Sequence, residues 1–441
     1  MADEPQFGAP DDPDEPDETP EPFDPAAFGA IPFDPTSFDP SGFDFSQIDL
    51  AQVMRMLQSP GPVNWEIARQ TAEWVALEGR PEPTVDPRDG AQFDELARAA
   101  QTLVVGETGL AATFATTLRT VGPKGWVDLH LAALRPVLEA LASTLGEAMQ
   151  AEEGEEEDPA VSAPLPGFPG GIPLSGNMLA LLAPALLGVQ AGSMIGYLSQ
   201  HALGRYDLPL PTGPAPTATT FGGDEPTLTF VVPNIDAFEE SWSLPREDLR
   251  FYVALHEVVH AAVRSVPWVR GLLVRLSIEY VSSYEIDAGV FESEFGDVDP
   301  SDPESLQRMA ADPQRILGAM QSERQQAPRE ALQRLTSVTD GYADYVLETI
   351  GRRLISTFDQ IHEAMKRHRV ERGEAERFIE GLLGLKLERA HYERGEAFCR
   401  GVVERAGADG LNRLWEREAM LPTPSELDAP GLWLARIELP D

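Results

Sequence analysis

The sequence predicts a mainly helical α+β fold with one small sheet, preceded by a disordered acidic tail. Three observations point there. Long stretches repeat apolar residues at the helical period. Only residues 227–232 show a clear strand alternation, with Leu228, Phe230 and Val232 between Thr and Val. Residues 1–47 are rich in Asp, Glu and Pro and contain no Lys or Arg, a composition that cannot bury enough surface to fold.

At 441 residues the chain is long enough for two or three cores. Its net charge of −39 repels nucleic acid and anionic membrane surfaces, so neither is an expected partner. A single cysteine, Cys399, excludes an internal disulfide framework and suits a reducing compartment. The acidic N-terminus lacks the basic and apolar regions of a signal peptide, which predicts a cytoplasmic location.

Within the tail, Phe23, Phe28, Phe33, Phe38 and Phe43 recur every five residues, mostly as Phe-Asp-Pro. Five matches neither the helical nor the strand period. The tail is therefore either a solvating low-complexity segment or a string of docking motifs for a protein partner. Residues 48–151 form a helical N-terminal region, with helices expected over 48–57, 62–77, 93–105 and 126–150. Residues 152–176, acidic and then Pro/Gly-rich, read as a linker or long loop.

Residues 178–198 are uncharged and about the length of a membrane span. Pro184, Gln190 and Ser193 within the stretch, and the lack of flanking basic anchors, argue instead for a buried helix. Gly188, Gly192 and Gly196 recur at i+4 and would let another helix approach closely. The strand over 227–232 follows, and Pro233 and Asn234 stop it as they would an edge strand. Further helices are expected over 268–297, 331–355, 356–372, 374–381 and 388–406, with a more polar stretch over 299–326. The C-terminal part, through Trp415 and Trp433, should pack back on the domain.

The chemistry centres on Leu255-His256-Glu257-Val258-Val259-His260. Residues i and i+4 share a helical face, so His256 and His260 can present two imidazole nitrogens to one Zn²⁺. Glu257 stands beside them as a base for a water activated at the metal. By chance such a motif would appear in roughly one sequence in a hundred with this few histidines. Its setting favours the metal reading. Ser243 and Pro245 mark a helix start, Glu247 and Asp248 lie near the positive end of the dipole, and Pro267 ends the segment.

A catalytic zinc site needs a third protein ligand. Asp340 is the first candidate, because Asp344 lies on the same helical face and could accept the outer N–H of a ligand histidine. Glu279 is the rival, with full carboxylate reach and a spacing from His260 found in many peptidases with the same motif.

Several segments together carry a family resemblance. They are Gly61-Pro62-Val63-Asn64-Trp65, Leu203-Gly204-Arg205-Tyr206-Asp207-Leu208-Pro209 and Val232-Pro233-Asn234-Ile235. The set continues with the histidine motif, Asp340-Gly341-Tyr342-Ala343-Asp344, Tyr392-Glu393-Arg394-Gly395-Glu396 and Gly410-Leu411-Asn412-Arg413-Leu414-Trp415. As an ordered set running from about residue 48 to the C-terminus, they resemble the actinobacterial zincin-like metallopeptidase family. The resemblance implies a zincin-like catalytic region over 177–441, with zinc held by the histidine motif and a downstream acid. Where the family carries Glu, this chain has Asp340, one methylene shorter.

The expected activity is that of a zinc-dependent hydrolase, a metallopeptidase acting on a peptide or protein substrate. His256, His260 and Asp340 would hold Zn²⁺, and Glu257 would move the proton from the attacking water to the leaving amine. Tyr392 would donate to the oxyanion, with Tyr342 and His391 as alternatives. Phe230, Val232 and Asn234 would bind an extended substrate by strand addition. A second reading, from a different class, is a catalytically inactive scaffold whose Phe-rich tail recruits partners. A third is a zinc hydrolase of a small non-peptide amide.

Overall fold

In a computed structural model of the chain, the described residues are 61–110, 117–152, 176–211, 227–285, 322–370, 377, 380–385 and 388–438. The predicted tail, the helix over 48–57 and nearly all of the 152–176 linker fall outside them. So do most of the stretch over 299–326 and most of the helix over 374–381.

Helices dominate the described residues. The first four are α1 (Trp65–Leu77), α2 (Pro87–Thr108), α3 (Pro123–Glu152) and α4 (Gly176–Ser199). Then come α5 (Val232–Trp242), α6 (Arg246–Ser265) and α7 (Pro267–Val281). The second half supplies α8 (Gln326–Leu354), α9 (Phe358–Val370), α10 (Arg389–Asn412), α11 (Pro424–Asp428) and α12 (Pro430–Glu438). Two four-residue strands, β1 (Leu118–Val121) and β2 (Leu228–Val231), pair in parallel with Leu118 opposite Leu228 and Val121 opposite Val231. The sequence did not announce β1. It is short, flanked by helices, and mostly half-buried, so it shows no alternation.

One continuous hydrophobic core runs from Ala68 on α1 to Ile437 on α12, so the N-terminal helices and the later region share an interior. In α4 every residue from Ala191 to Ser199 except Tyr197 is buried. Among the described residues no helix is long and apolar enough to cross a membrane. The glycine row on α4 serves α1. A Cβ at Gly188, Gly192 or Gly196 would run into the carbonyl oxygens of Asn64, Ala68 and Ala72 respectively.

The strand expected over 227–232 is shorter and differently placed. Its last residue and the following Pro233-Asn234 open α5, with proline in the first turn where no N–H is needed. β2 is also not an edge. On one side it pairs with β1. On the other, Val231 N–H donates to Leu203 O at 2.9 Å and Arg205 N–H to Thr229 O at 3.2 Å.

Helix α6, which carries the histidine motif, lies at the centre. It is buried at every position from Leu249 to Arg264 except Phe251. Ser243 does not cap it. Ser243 closes α5 in a left-handed conformation (φ 51°), and Pro245 precedes the first turn of α6. The buried Arg250 on α6 is matched by Asp89 Oδ1 at 2.6 Å and Asp236 Oδ1 at 2.8 Å, which locks the helix to α2 and α5. Trp415 and Trp433 are buried, as expected for a C-terminal part that folds back.

Candidate metal centre

His256 and His260 project from one face of α6, with ring centroids 4.4 Å apart. Both are buried. Burial drives the His260 pKa well below its ordinary value, and His256, Arg264 and Arg369 add to the effect, so the ring is neutral, the form that binds metal. Its Nδ1 is buried with no hydrogen-bond partner among the described residues.

The two histidines open on a small pocket also lined by Tyr206, Asp207, Pro209, Asp340, Arg369 and Tyr392. Asp340 comes from α8 and is 6% exposed. Burial pushes its pKa up to about 6, against the opposing pull of Arg369. Tyr392 comes from α10. The two helices cross so closely that a Cβ on Gly395 would strike the Ser337 carbonyl and one on Gly341 would strike Gly395. These crossing glycines sit beside Asp340 and one turn after Tyr392, and they account for both glycine-bearing motifs.

Of the predicted site residues, His256, His260, Asp340 and Tyr392 meet in this pocket. The nitrogen, nitrogen and carboxylate donors fit zinc in kind, and the orphaned Nδ1 of a neutral buried imidazole needs a partner. Among the described residues no group of three His, Cys, Asp or Glu stands at full metal-binding geometry.

Glu257 is not among the residues lining the pocket. It is 1% exposed, and its carboxylate fits against Gly204, where any side chain would collide with it. Oε2 accepts from Arg205 N–H at 2.9 Å, and Oε1 accepts from Tyr206 N–H at 3.1 Å. Oε1 also lies 3.6 Å from His256 Nδ1. Burial raises the Glu257 pKa, with His256 and the Tyr206 N–H opposing. Residues 203–210 are thus strapped across α6, and Arg264 Nη1 completes the strap by donating to Leu210 O at 3.0 Å.

Other expectations are corrected. Among the described residues Asp344 makes no hydrogen bond to His256 or His260. It is buried and accepts from Arg369 Nη2 at 2.8 Å, because an uncompensated buried guanidinium would be far costlier than an unassisted imidazole. Burial tends to raise the Asp344 pKa, and Arg369 overcomes it and holds the carboxylate below its usual range. Phe230, Val232 and Asn234 do not form a substrate edge. Phe230 stacks on Phe93 at 4.4 Å and is fully buried, as is Val232, and Asn234 Nδ2 donates to Ser199 O and Ala202 O at the end of α4. Glu279 is exposed on α7 and does not line the pocket. Tyr342 donates to Asn412 Oδ1 at 2.7 Å, and His391 Nδ1 accepts from the Glu388 N–H at the start of α10. Neither reaches the pocket.

Sequence reasoning missed Tyr206, Asp207 and Arg369 as pocket residues. The first two lie in a segment whose motif was visible but whose purpose, holding Glu257, depends on a contact about fifty residues along the chain. Arg369 had a faint signal, the basic run Lys366-Arg367-His368-Arg369 in a strongly acidic chain.

Comparisons with known proteins bear on the whole arrangement. No curated protein matches. A crystal structure of a candidate hydrolase with a novel fold from Chloroflexus aurantiacus superposes with a TM-score of 0.56 at 24% identity, covering 86% of this chain and 100% of that one, which shows a shared fold. The zincin-like metallopeptidase family matches residues 63–434, which take in every element from α1 to the start of α12's last turn, and the chain belongs to that family.

Proposed function

We propose that the protein is a zinc-dependent peptidase in which His256, His260 and Asp340 hold the metal. The observation that carries this reading is the meeting of the three in one buried pocket, with His260 in its neutral form. Zinc, when bound, supplies Lewis acidity for a carbonyl and lowers the pKa of water. Glu257 takes the proton given up as water adds to the scissile carbonyl and returns it to the leaving amine. Burial raises its pKa above the ordinary carboxylate value, which strengthens it as a base. The Arg205 and Tyr206 N–H groups hold its carboxylate at a fixed height over α6. Tyr392 lines the same pocket and would serve as the donor to an oxyanion.

One observation favours a second reading, a zinc-binding scaffold without catalysis. Both Glu257 oxygens are engaged by backbone N–H groups, and Glu257 is not among the residues lining the pocket.

Metal analysis and hydrolysis separate the two. Purified wild type should hold about one zinc, lost in His256→Ala and Asp340→Ala and kept in Glu279→Ala. Against a broad peptide library, Glu257→Gln should cut turnover roughly a hundredfold to ten-thousandfold while retaining zinc. A zinc-loaded wild type that cleaves nothing would make the scaffold the better reading. A wild type that takes up no zinc would overturn the metal site itself.

A further inference from the structure

The small metal pocket shares a wall with a larger cleft, and the shared residues are Arg369 and Tyr392. The cleft encloses about 410 Å³, room for a peptide end, between α9 and α10. It is unusual in a chain of net charge −39, because four cations balance four carboxylates along its walls. Three of the cations are spent at the rim. Lys366, Arg367 and Arg389 pair with Glu396, Glu363 and Glu393 at 3.2, 2.8 and 2.8 Å in exposed or half-exposed pairs, which bind weakly and are screened.

Arg369 differs from them in three ways. Its guanidinium is buried, with the residue 8% exposed. It is fixed in place by Asp344 on one edge and by the Tyr392 ring, 5.5 Å from the guanidinium carbon. Of its five N–H groups, the structure shows one hydrogen bond among the described residues, from Nη2 to Asp344. An immobilised guanidinium that makes one hydrogen bond among the described residues and lines a cleft matches the planar fork of a carboxylate.

We propose that Arg369 is the receptor for a substrate carboxylate, and that the peptides this protein takes carry that carboxylate next to the bond presented to His256, His260 and Asp340. The adjacency follows from the pocket. Arg369 lines the same small space as His256, His260 and Asp340, so an anion on it would sit beside them. The carboxylate is that of a free C-terminus or of an acidic side chain at that position. The substrate class deepens the peptidase reading and rests on it. The binding preference belongs to the chain's own arginine and can be read without zinc or turnover.

Calorimetric titration of the full chain, zinc-loaded and zinc-free, with three short N-acetylated alanine peptides tests this. One peptide ends in a free carboxylate, one in an amide, and one in an amidated glutamate. In wild type at least one carboxylate peptide should bind roughly tenfold or more tighter than the neutral amide, as expected for a charge-assisted bidentate contact. Which of the two does so identifies the source. The ratio should fall to about one in Arg369→Met and be reduced in Arg369→Lys, which keeps the charge and loses the fork. Equal binding of all three peptides by wild type would overturn the proposal. So would an unchanged ratio in either variant. If Arg369→Met fails to fold with Asp344 left unpaired, the wild-type ratio and Arg369→Lys still decide. Failure of the zinc reading would show separately, as absent metal with the peptide preference intact.

Discussion

Two consecutive backbone N–H groups, from Arg205 and Tyr206, aim at the Glu257 carboxylate, and Gly204 leaves it the space. At this scale a side chain's purpose is set by what touches it. Gly204→Ala should therefore dislodge the carboxylate, lowering turnover in a peptide assay far more than it lowers zinc content. His130 gives a second residue-scale test. It is buried, with Nδ1 2.9 Å from Trp126 O and Nε2 3.3 Å from Arg205 O, directly beneath the strap that holds Glu257. Burial lowers its pKa from 6.5 to about 4, with the Trp126 carbonyl opposing. The unfolded chain therefore binds a proton that the folded chain refuses between those values. Stability is present above pH 6.5 and is lost as pH falls toward 4, by about 3 kcal/mol from this residue. Chemical denaturation across that range should show the loss, and His130→Gln should remove its share. A variant with the same pH slope as wild type would refute the assignment.

Elements here meet through small residues. The α1–α4 contact depends on a row of three glycines whose missing side chains admit the carbonyls of the facing helix. Gly192→Leu would drive a side chain into the Ala68 carbonyl and should cost about 3 kcal/mol or more, measured by denaturant unfolding, with little change in peptide cleavage by the fraction that folds. The row was legible because a repeat of four places residues on one helical face whatever the tertiary context. The strand was read less well. Its alternation was real, but alternation alone does not tell an edge strand from one flanked on both sides. Phe230 faces Phe93, not solvent, because β1 and residues 203–205 occupy both sides of β2. Phe230→Ala should accordingly cost roughly 3–5 kcal/mol of stability and leave the KM of folded protein unchanged.

The whole molecule draws the residues of the candidate metal site from different parts of the chain. The histidines come from α6, Asp340 from α8, Tyr392 from α10, and Tyr206 and Asp207 from the strap that leads toward β2. A metal bound there cross-links these parts and stabilises only the folded state. Zinc at about a hundred times its dissociation constant should add about 2.7 kcal/mol, seen as a rise in Tm that a chelator reverses and that Asp340→Ala abolishes. The sequence by itself determined the helical class, the central motif and the burial of the second half of α4, and it narrowed the third ligand to Asp340 or Glu279, because each rests on periodicity or on spacing within one helix. Tertiary structure alone decided that Glu279 stands outside the site, that Asp344 serves Arg369, and that Arg369 and the 203–210 strap complete the pocket. Those facts depend on which elements become neighbours after the core closes, and contacts between residues tens to hundreds of positions apart leave no local pattern to read.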